Sequence, residues 1–186
     1  MKHIILDLDE TIVSITEKPS ASDHFQFTIG NTTYYGQKRP GLKPFLEYIF
    51  KTFDSVNVWT AATRAYADHV LHFILTPRQR AQLKFLYTRD NVQVEKKTGM
   101  YSKPLRKIFS TPEAKALGIT RKNTLMVDDR EDIFKNNKGN GMVIPPWHRH
   151  AHDKYLNHLT RVLKLLESIE MKSAKRPFIL LNFLEN

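Results

Sequence analysis

Apolar positions fall into short buried runs and helical stripes that alternate along the chain. Residues 2–8 form a run rich in Ile and Leu, the pattern of a strand covered on both faces in a parallel sheet. Residues 25–29 and 32–35 are β-rich and flank Gly30-Asn31, which predicts a hairpin. Arg39-Pro40-Gly41 predicts a turn. Residues 42–53 then predict an amphipathic helix with Phe45, Leu46, Ile49 and Phe50 on one face. A second strand is expected over 56–60, a helix over 64–75 carrying Tyr66, Val70, Phe73 and Ile74, and a third strand over 83–88. Residues 91–101 read as a short irregular excursion and 103–109 as helical. The apolar strand at 124–127 runs directly into Asp128-Asp129, and 141–144 is expected to be the last strand. Asp153 is placed to cap a final helix on which Leu156, Leu159, Val162, Leu163, Leu166 and Ile169 recur at helical spacing. This alternation predicts an α/β fold, a parallel sheet with helices on both faces.

A length of 186 residues suits one such domain, expected over 1–170, followed by a basic and then apolar tail over 171–186. The tail joins Lys172, Lys175 and Arg176 to the apolar run 177–184, and contact with an anionic membrane or packing on the core are both open to it. The first residues, MKHIILDLDET, turn acidic after the short apolar run Ile4-Ile5-Leu6 and do not read as a signal peptide. No run reaches the roughly 18–20 apolar residues that cross a bilayer. An intracellular location, cytoplasm or nucleus, is the expectation.

Charge and cysteine content narrow the chemistry. Lys and Arg number 29 against 19 Asp and Glu, a formal charge of +10 that favours anionic partners such as nucleic acid, anionic lipid or phosphorylated substrates. The absence of cysteine excludes disulfides, thiolate metal sites and a cysteine nucleophile.

In parallel sheets function gathers beyond the carboxyl ends of the strands. Three expected strands end in reactive residues: Asp7 and Asp9, Thr60, and Asp128 with Asp129. An ionised carboxylate at Asp7 or Asp9 can attack phosphorus, and a protonated one can donate to a leaving oxygen and later activate water. Paired acids at Asp128 and Asp129 suit a hard cation, although either could simply cap the following turn. Thr60 could bind phosphate beside a helix N-terminus or serve as an ordinary cap. Lys103 on its own reads as a solvated surface charge and matters only through its place in the order of these groups. The imidazoles of His148, His150 and His152 suit transition metals, yet without an accompanying acid cluster they read as a polar loop.

Asp7-Leu8-Asp9-Glu10-Thr11 resembles the DxDxT signature of the haloacid dehalogenase superfamily. Within it the chain resembles the phosphatases of the RNA polymerase II C-terminal domain and their small relatives. Four further stretches carry the likeness: Arg39-Pro40-Gly41 with Phe45-Leu46; Trp59-Thr60-Ala61-Ala62-Thr63-Arg64-Ala65-Tyr66-Ala67; Tyr101-Ser102-Lys103-Pro104-Leu105; and Val127-Asp128-Asp129-Arg130-Glu131-Asp132. Together they cover roughly residues 1–147. The resemblance implies a haloacid dehalogenase-like, Rossmann-like sheet and a Mg²⁺-dependent hydrolase that forms an aspartyl phosphate. Asp7 would be nucleophile and metal ligand, and Asp9 the general acid/base, lending its backbone carbonyl to the metal. Asp128 and Asp129 would complete the metal site. Thr60 and Lys103 would hold the transferring phosphoryl group, with Thr11 and Arg64 also on the substrate side.

Thr11 and Thr60 are 49 positions apart, and Thr60 and Lys103 are 43. Those gaps hold the expected elements, a small β-hairpin flap among them, and leave no room for a large cap domain. An open site suits a phosphate carried on a protein. Nucleic-acid ends, a non-catalytic phosphopeptide-binding module and transfer to an acceptor other than water are the competing readings. The charged excursion at 91–100 shows no hydrophobic pocket of the kind some small relatives carry there.

Overall fold

The computed structural model describes residues 2–96, 99–137 and 139–170. The chain opens with β1 (His3–Leu6), then folds three antiparallel strands, β2 (Val13–Thr16), β3 (Phe25–Ile29) and β4 (Thr32–Lys38). Helix α1 (Leu42–Thr52), β5 (Ser55–Trp59) and helix α2 (Arg64–Ile74) follow, then a short α3 (Pro77–Gln82) and β6 (Leu86–Tyr87). A small hairpin of β7 (Gln93–Val94) and β8 (Tyr101–Ser102) precedes α4 (Leu105–Phe109) and α5 (Pro112–Ala116). The chain continues through β9 (Thr124–Asp128) and β10 (Gly141–Val143) to α6 (Tyr155–Glu170).

The central sheet has five strands in the order β10-β9-β1-β5-β6, and every pairing is parallel. β1, β5 and β9 are buried at every position, as expected of strands covered on both faces. Successive side chains on a strand point to opposite faces, and the packing follows that rule. Ile4, Leu6, Val56, Val58, Leu125 and Val127 join one apolar cluster with α1, α2 and α6. Ile5, Trp59 and Met126 join another with Leu105 and Ile108 of α4, Ala114 of α5, and Phe134.

Helix α1 buries Leu42, Phe45, Leu46 and Ile49, one stripe at helical spacing. It begins at Gly41, whose φ of +81° is left-handed, and a Cβ there would lie 2.7 Å from the Asn157 side chain. Glycine thus serves both the backbone turn and the close approach of α6. Helix α6 lays Leu156, Leu159, Leu163 and Leu166 on the core, and the Tyr48 hydroxyl donates to Glu167 from α1. The amide of Tyr155 donates to Asp153, the expected cap. The Ile169 side chain and the whole of 171–186 lie outside the described residues, so the stripe's last position and the tail's expected contacts do too.

Several elements differ from expectation. The expected hairpin forms as β3-β4 and gains a third strand, β2, just after the DxDxT stretch, in the order β2-β4-β3. The third strand is only Leu86–Tyr87, because the amide of Leu83 still closes α3 on Gln79. Helix α3 has no buried residue and therefore no stripe to read; it stands on a Thr76–Gln79 capping box with Pro77 in its first turn. Helix α5 buries only Ala114. The helix expected over 103–109 starts at Leu105, leaving Lys103 ahead of it. The loop read as polar around 147–152 is anchored by Trp147, which is buried and donates its amide to the Glu10 carbonyl at 2.8 Å. No helix among the described residues is long and apolar enough to cross a membrane.

Candidate active site

Strand register brings the acids together. Leu6 pairs with Val58 on one side and Val127 on the other, so Asp7, Trp59 and Asp128 come next at one level. The Asp7 amide donates to the Val127 carbonyl at 3.0 Å, which extends the ladder one residue. Asp7, Asp128 and Asp129 offer carboxylate oxygens that all lie within 4.8 Å of one another.

Lys103 is buried between two of them. Its ammonium donates to Asp7 Oδ1 and, at 2.8 Å, to Asp128 Oδ2. The amine is brought there by its place just before α4, whose first amide is capped by Asn137 Oδ1 at 2.9 Å. Asn137 Nδ2 also donates to the Lys103 carbonyl at 2.8 Å, which fixes the lysine's backbone. Burial pushes Asp7 up to about 6, opposed chiefly by Lys103. Asp128 is likewise pushed up to about 6 by burial against Lys103. Burial and the neighbouring Asp128 raise Asp129. For Lys103 the two carboxylates outweigh burial and hold it charged, above its ordinary value.

Thr11 lies beneath the cluster. Its hydroxyl is within reach of Asp129 Oδ1 at 2.9 Å and Asp7 Oδ2 at 3.2 Å, and it accepts from the Asp129 amide at 3.1 Å. It therefore supports the acids, in keeping with the loop-supporting role that the resemblance implies for it beside a contact with phosphate. The bend between Asp7 and Thr11 is tight: Glu10 has a φ of +59°, and the amides of Ile12 and Val13 return to the Leu8 carbonyl. Arg39 clamps this bend. It is buried, donates to the carbonyls of Thr11 at 2.8 Å and Glu10 at 3.3 Å, and forms a two-bond ion pair with Asp153.

Asp9 lies outside that group of three acids. Its Oδ1 accepts from the Tyr66 hydroxyl at 2.6 Å, and burial raises it against that bond. Thr60 is buried just past β5, and its hydroxyl oxygen accepts from the Ala62 amide at 3.1 Å. Capping of α2 falls to Thr63 instead. Asp128 Oδ1 accepts from the Arg130 amide at 3.0 Å while Oδ2 holds Lys103, and the short helix Glu131–Asn136 that follows has no side-chain cap.

The structure does not bring Arg64 to the cluster. Its guanidinium is exposed and paired with Asp68 at 2.9 Å, beside Arg80 and Lys84 in a shallow cleft. His148 is 3.6 Å from Glu10 Oε1, and the groups of acids and imidazoles able to share one ion, among the described residues, come down to Asp7, Asp128 and Asp129. Sequence reasoning missed Tyr66 and Arg39. In the sequence Tyr66 reads as part of a helix face, and Arg39 as part of a turn. Their placement inside matched stretches was the available signal.

The donor set fits a hard divalent cation. Three carboxylates this close repel one another and are offset here by one lysine, and oxygen donors without sulfur or imidazole are those that magnesium takes.

Comparison with known proteins shows the family and the fold. Residues 2–175 match the family model described as NLI interacting factor-like phosphatase. The chain is 30% identical over 179 residues to the CTD phosphatase-like protein 355R of Invertebrate iridescent virus 6, covering 89% of this chain and 97% of that one. It is 31% identical over 170 residues to the CTD small phosphatase-like protein 3 of Caenorhabditis elegans, covering 89% of this chain but only 53% of the relative, about half its length. The solved structure of Fcp1, an RNA polymerase II CTD phosphatase, superposes with a TM-score of 0.59 at 20% identity, covering 99% of this chain and 58% of that one. That similarity speaks for the fold, a haloacid dehalogenase-like α/β sheet. With nearly the whole chain inside the family model, the protein belongs to the NLI interacting factor-like phosphatases, a family of phosphoric monoester hydrolases.

Proposed function

We propose that the protein is a Mg²⁺-dependent phosphoprotein phosphatase that works through an aspartyl phosphate on Asp7. The observation that carries this reading is the Lys103 ammonium shared between Asp7 Oδ1 and Asp128 Oδ2 at the level where the central strands end. The lysine holds Asp7 Oδ1 and the Thr11 hydroxyl lies 3.2 Å from Oδ2, so the carboxylate is fixed in place for attack. The lysine also places positive charge where a phosphoryl group would arrive.

The steps follow from the residues. An oxygen of ionised Asp7 attacks phosphorus as the bond to the leaving oxygen breaks, and Asp9 gives that oxygen its proton. Asp9, now a carboxylate, takes a proton from water as the water oxygen attacks phosphorus. The bond to Asp7 breaks and inorganic phosphate leaves. Thr60 and Lys103 hold the phosphoryl oxygens through both displacements. Asp7, Asp128 and Asp129, with the Asp9 carbonyl, would hold Mg²⁺, which when bound supplies charge that keeps the carboxylates ionised and polarises the phosphoryl group.

A phosphorylated protein is the favoured substrate. The flap is a small three-stranded sheet, which suits a phosphate presented on a large partner, and relatives from Encephalitozoon cuniculi and Homo sapiens and the solved Fcp1 structure are named as RNA polymerase II C-terminal domain phosphatases. An intracellular setting, cytoplasm or nucleus, accompanies that substrate class. The charge of +10 favours a second reading, removal of phosphate from nucleic-acid ends.

The test is hydrolysis of para-nitrophenyl phosphate with Mg²⁺, with EDTA, and by Asp7→Asn, followed by phosphopeptides and 5′-phosphorylated oligonucleotides at increasing salt. Turnover that needs Mg²⁺ and Asp7 supports the reading, and the better of the two substrate sets fixes the class. Turnover that survives both EDTA and Asp7→Asn overturns it.

A further inference from the structure

Tyr66 does two things at once near the start of α2. Its ring meets Phe27 and Tyr34 of the flap edge-on, with centroids 5.5 and 5.4 Å away. Its hydroxyl donates to Asp9 Oδ1 at 2.6 Å. A carboxyl group on its own rotates broadly about its last torsion, so its two oxygens are interchangeable. Here packing from β3 and β4 fixes the ring, the ring fixes the hydroxyl, and the hydroxyl distinguishes the two oxygens of Asp9.

We propose that Tyr66 is a positioning residue for Asp9, directing the transferable proton to Oδ2 by occupying Oδ1. The proposal rests on Asp9 being the acid in the reading above. An oxygen that already accepts a strong hydrogen bond is the poorer place for a proton, so the proton resides on the other. As the bond from phosphorus to the leaving oxygen breaks, that proton passes from Oδ2 to the leaving oxygen and the electron pair stays on Asp9. The bond from Tyr66 then ends on a full carboxylate and strengthens as charge develops. An interaction that is stronger in the transition state than before it accelerates the step.

This ties Tyr66 to leaving groups that need a proton. Dinitrophenolate departs without one; phenolate does not. The experiment compares kcat/KM, which ends at the phosphoenzyme, for phenyl phosphate and 2,4-dinitrophenyl phosphate in wild type, Tyr66→Phe, Asp9→Asn and Asp7→Asn. Phenylalanine keeps the ring and its packing. Since general acids typically contribute about 10²–10⁴-fold, Tyr66→Phe is expected to lose roughly 10- to 100-fold on phenyl phosphate and less than about threefold on the dinitrophenyl ester. Asp9→Asn should show the same selectivity, more steeply. The dinitrophenyl arm doubles as a check on folding. Equal losses on both esters, or phenyl phosphate turnover within about twofold of wild type, would overturn the proposal. Survival of activity in Asp7→Asn, or an inactive wild type, would instead strike the catalytic reading and take this inference with it. A flat leaving-group response in an enzyme that depends on Asp7 and Asp9 sinks the inference alone.

Discussion

Breaking the Arg39–Asp153 pair should be among the most destabilising single changes. The guanidinium side chain has no exposed surface and the Asp153 side chain only 6%. Two parallel bonds join them, Nε to Oδ1 at 3.0 Å and a terminal nitrogen to Oδ2 at 2.8 Å. The same guanidinium reaches the carbonyls of Thr11, Glu10 and Pro145, and Tyr155 lies beneath it at 5.6 Å. Removing Asp153 leaves a buried cation with carbonyl dipoles alone, a loss of about 3–5 kcal/mol for such pairs. Asp153→Ala also deletes the oxygen that caps α6 at Tyr155, roughly 1 kcal/mol more. Asp153→Asn keeps a capping oxygen and should cost less than Asp153→Ala. Arg39→Met removes the cation but strands a carboxylate, so it too should cost about 3–5 kcal/mol, and the double variant should fall short of the sum by about 0.5–3 kcal/mol. Urea unfolding followed by circular dichroism measures all four proteins. An Asp153→Ala loss below about 1 kcal/mol, the worth of an exposed ion pair, would refute the burial argument. Strict additivity would refute the pairing.

Other outcomes follow from particular contacts. Gly41→Ala should destabilise by at least about 1–2 kcal/mol from its left-handed backbone alone, with part of the further loss relieved by Asn157→Ala, read by thermal melting. Thr63→Ala should cost about 0.5–2 kcal/mol through the lost cap on Tyr66, and it should lower activity more than the equivalent change at Thr76 on α3. His3 is buried, bonded to Ser55 at 2.9 Å, and lowered by burial from its ordinary value of 6.5. Its stabilising contribution is therefore complete above 6.5 and falls away as pH drops from there through the lower folded value, so wild type and His3→Gln should converge in stability on acidification. Mg²⁺ should raise the melting temperature of wild type and much less that of Asp129→Asn, by about 2.7 kcal/mol of stabilisation at a hundredfold excess over Kd.

The sheet was legible because its central strands are apolar without interruption, a pattern that survives even when neighbours are unknown. The acids were legible because three of them end such strands. What stayed hidden was held by tertiary contact. Nothing local marks Arg39 as the partner of Asp153, 114 positions later, since an arginine in a turn looks like a solvated charge. Tyr66 occupies a helical stripe like any core residue, and only the fold shows its hydroxyl leaving that stripe for Asp9. Helix α3 buries nothing, so no periodicity announced it, and the strand expected over 83–88 absorbed part of its end. Arg64 sits inside a matched stretch yet pairs with Asp68 one turn along its own helix, where a charge on an exposed helix face ordinarily finds its partner.

The place of β1 in the middle of the sheet bears on how the chain can fold. His3 pairs with Ser55 on one side and with Thr124 on the other. Because β1 precedes both neighbours in the chain, it gains the second only after more than a hundred further residues exist. Loop-closure entropy must be met before that parallel pairing is rewarded, which makes docking of β9 on β1 a natural late and slow event. Asp7 and Asp128 meet in that same event, so the acid cluster and the completed sheet should form together during refolding.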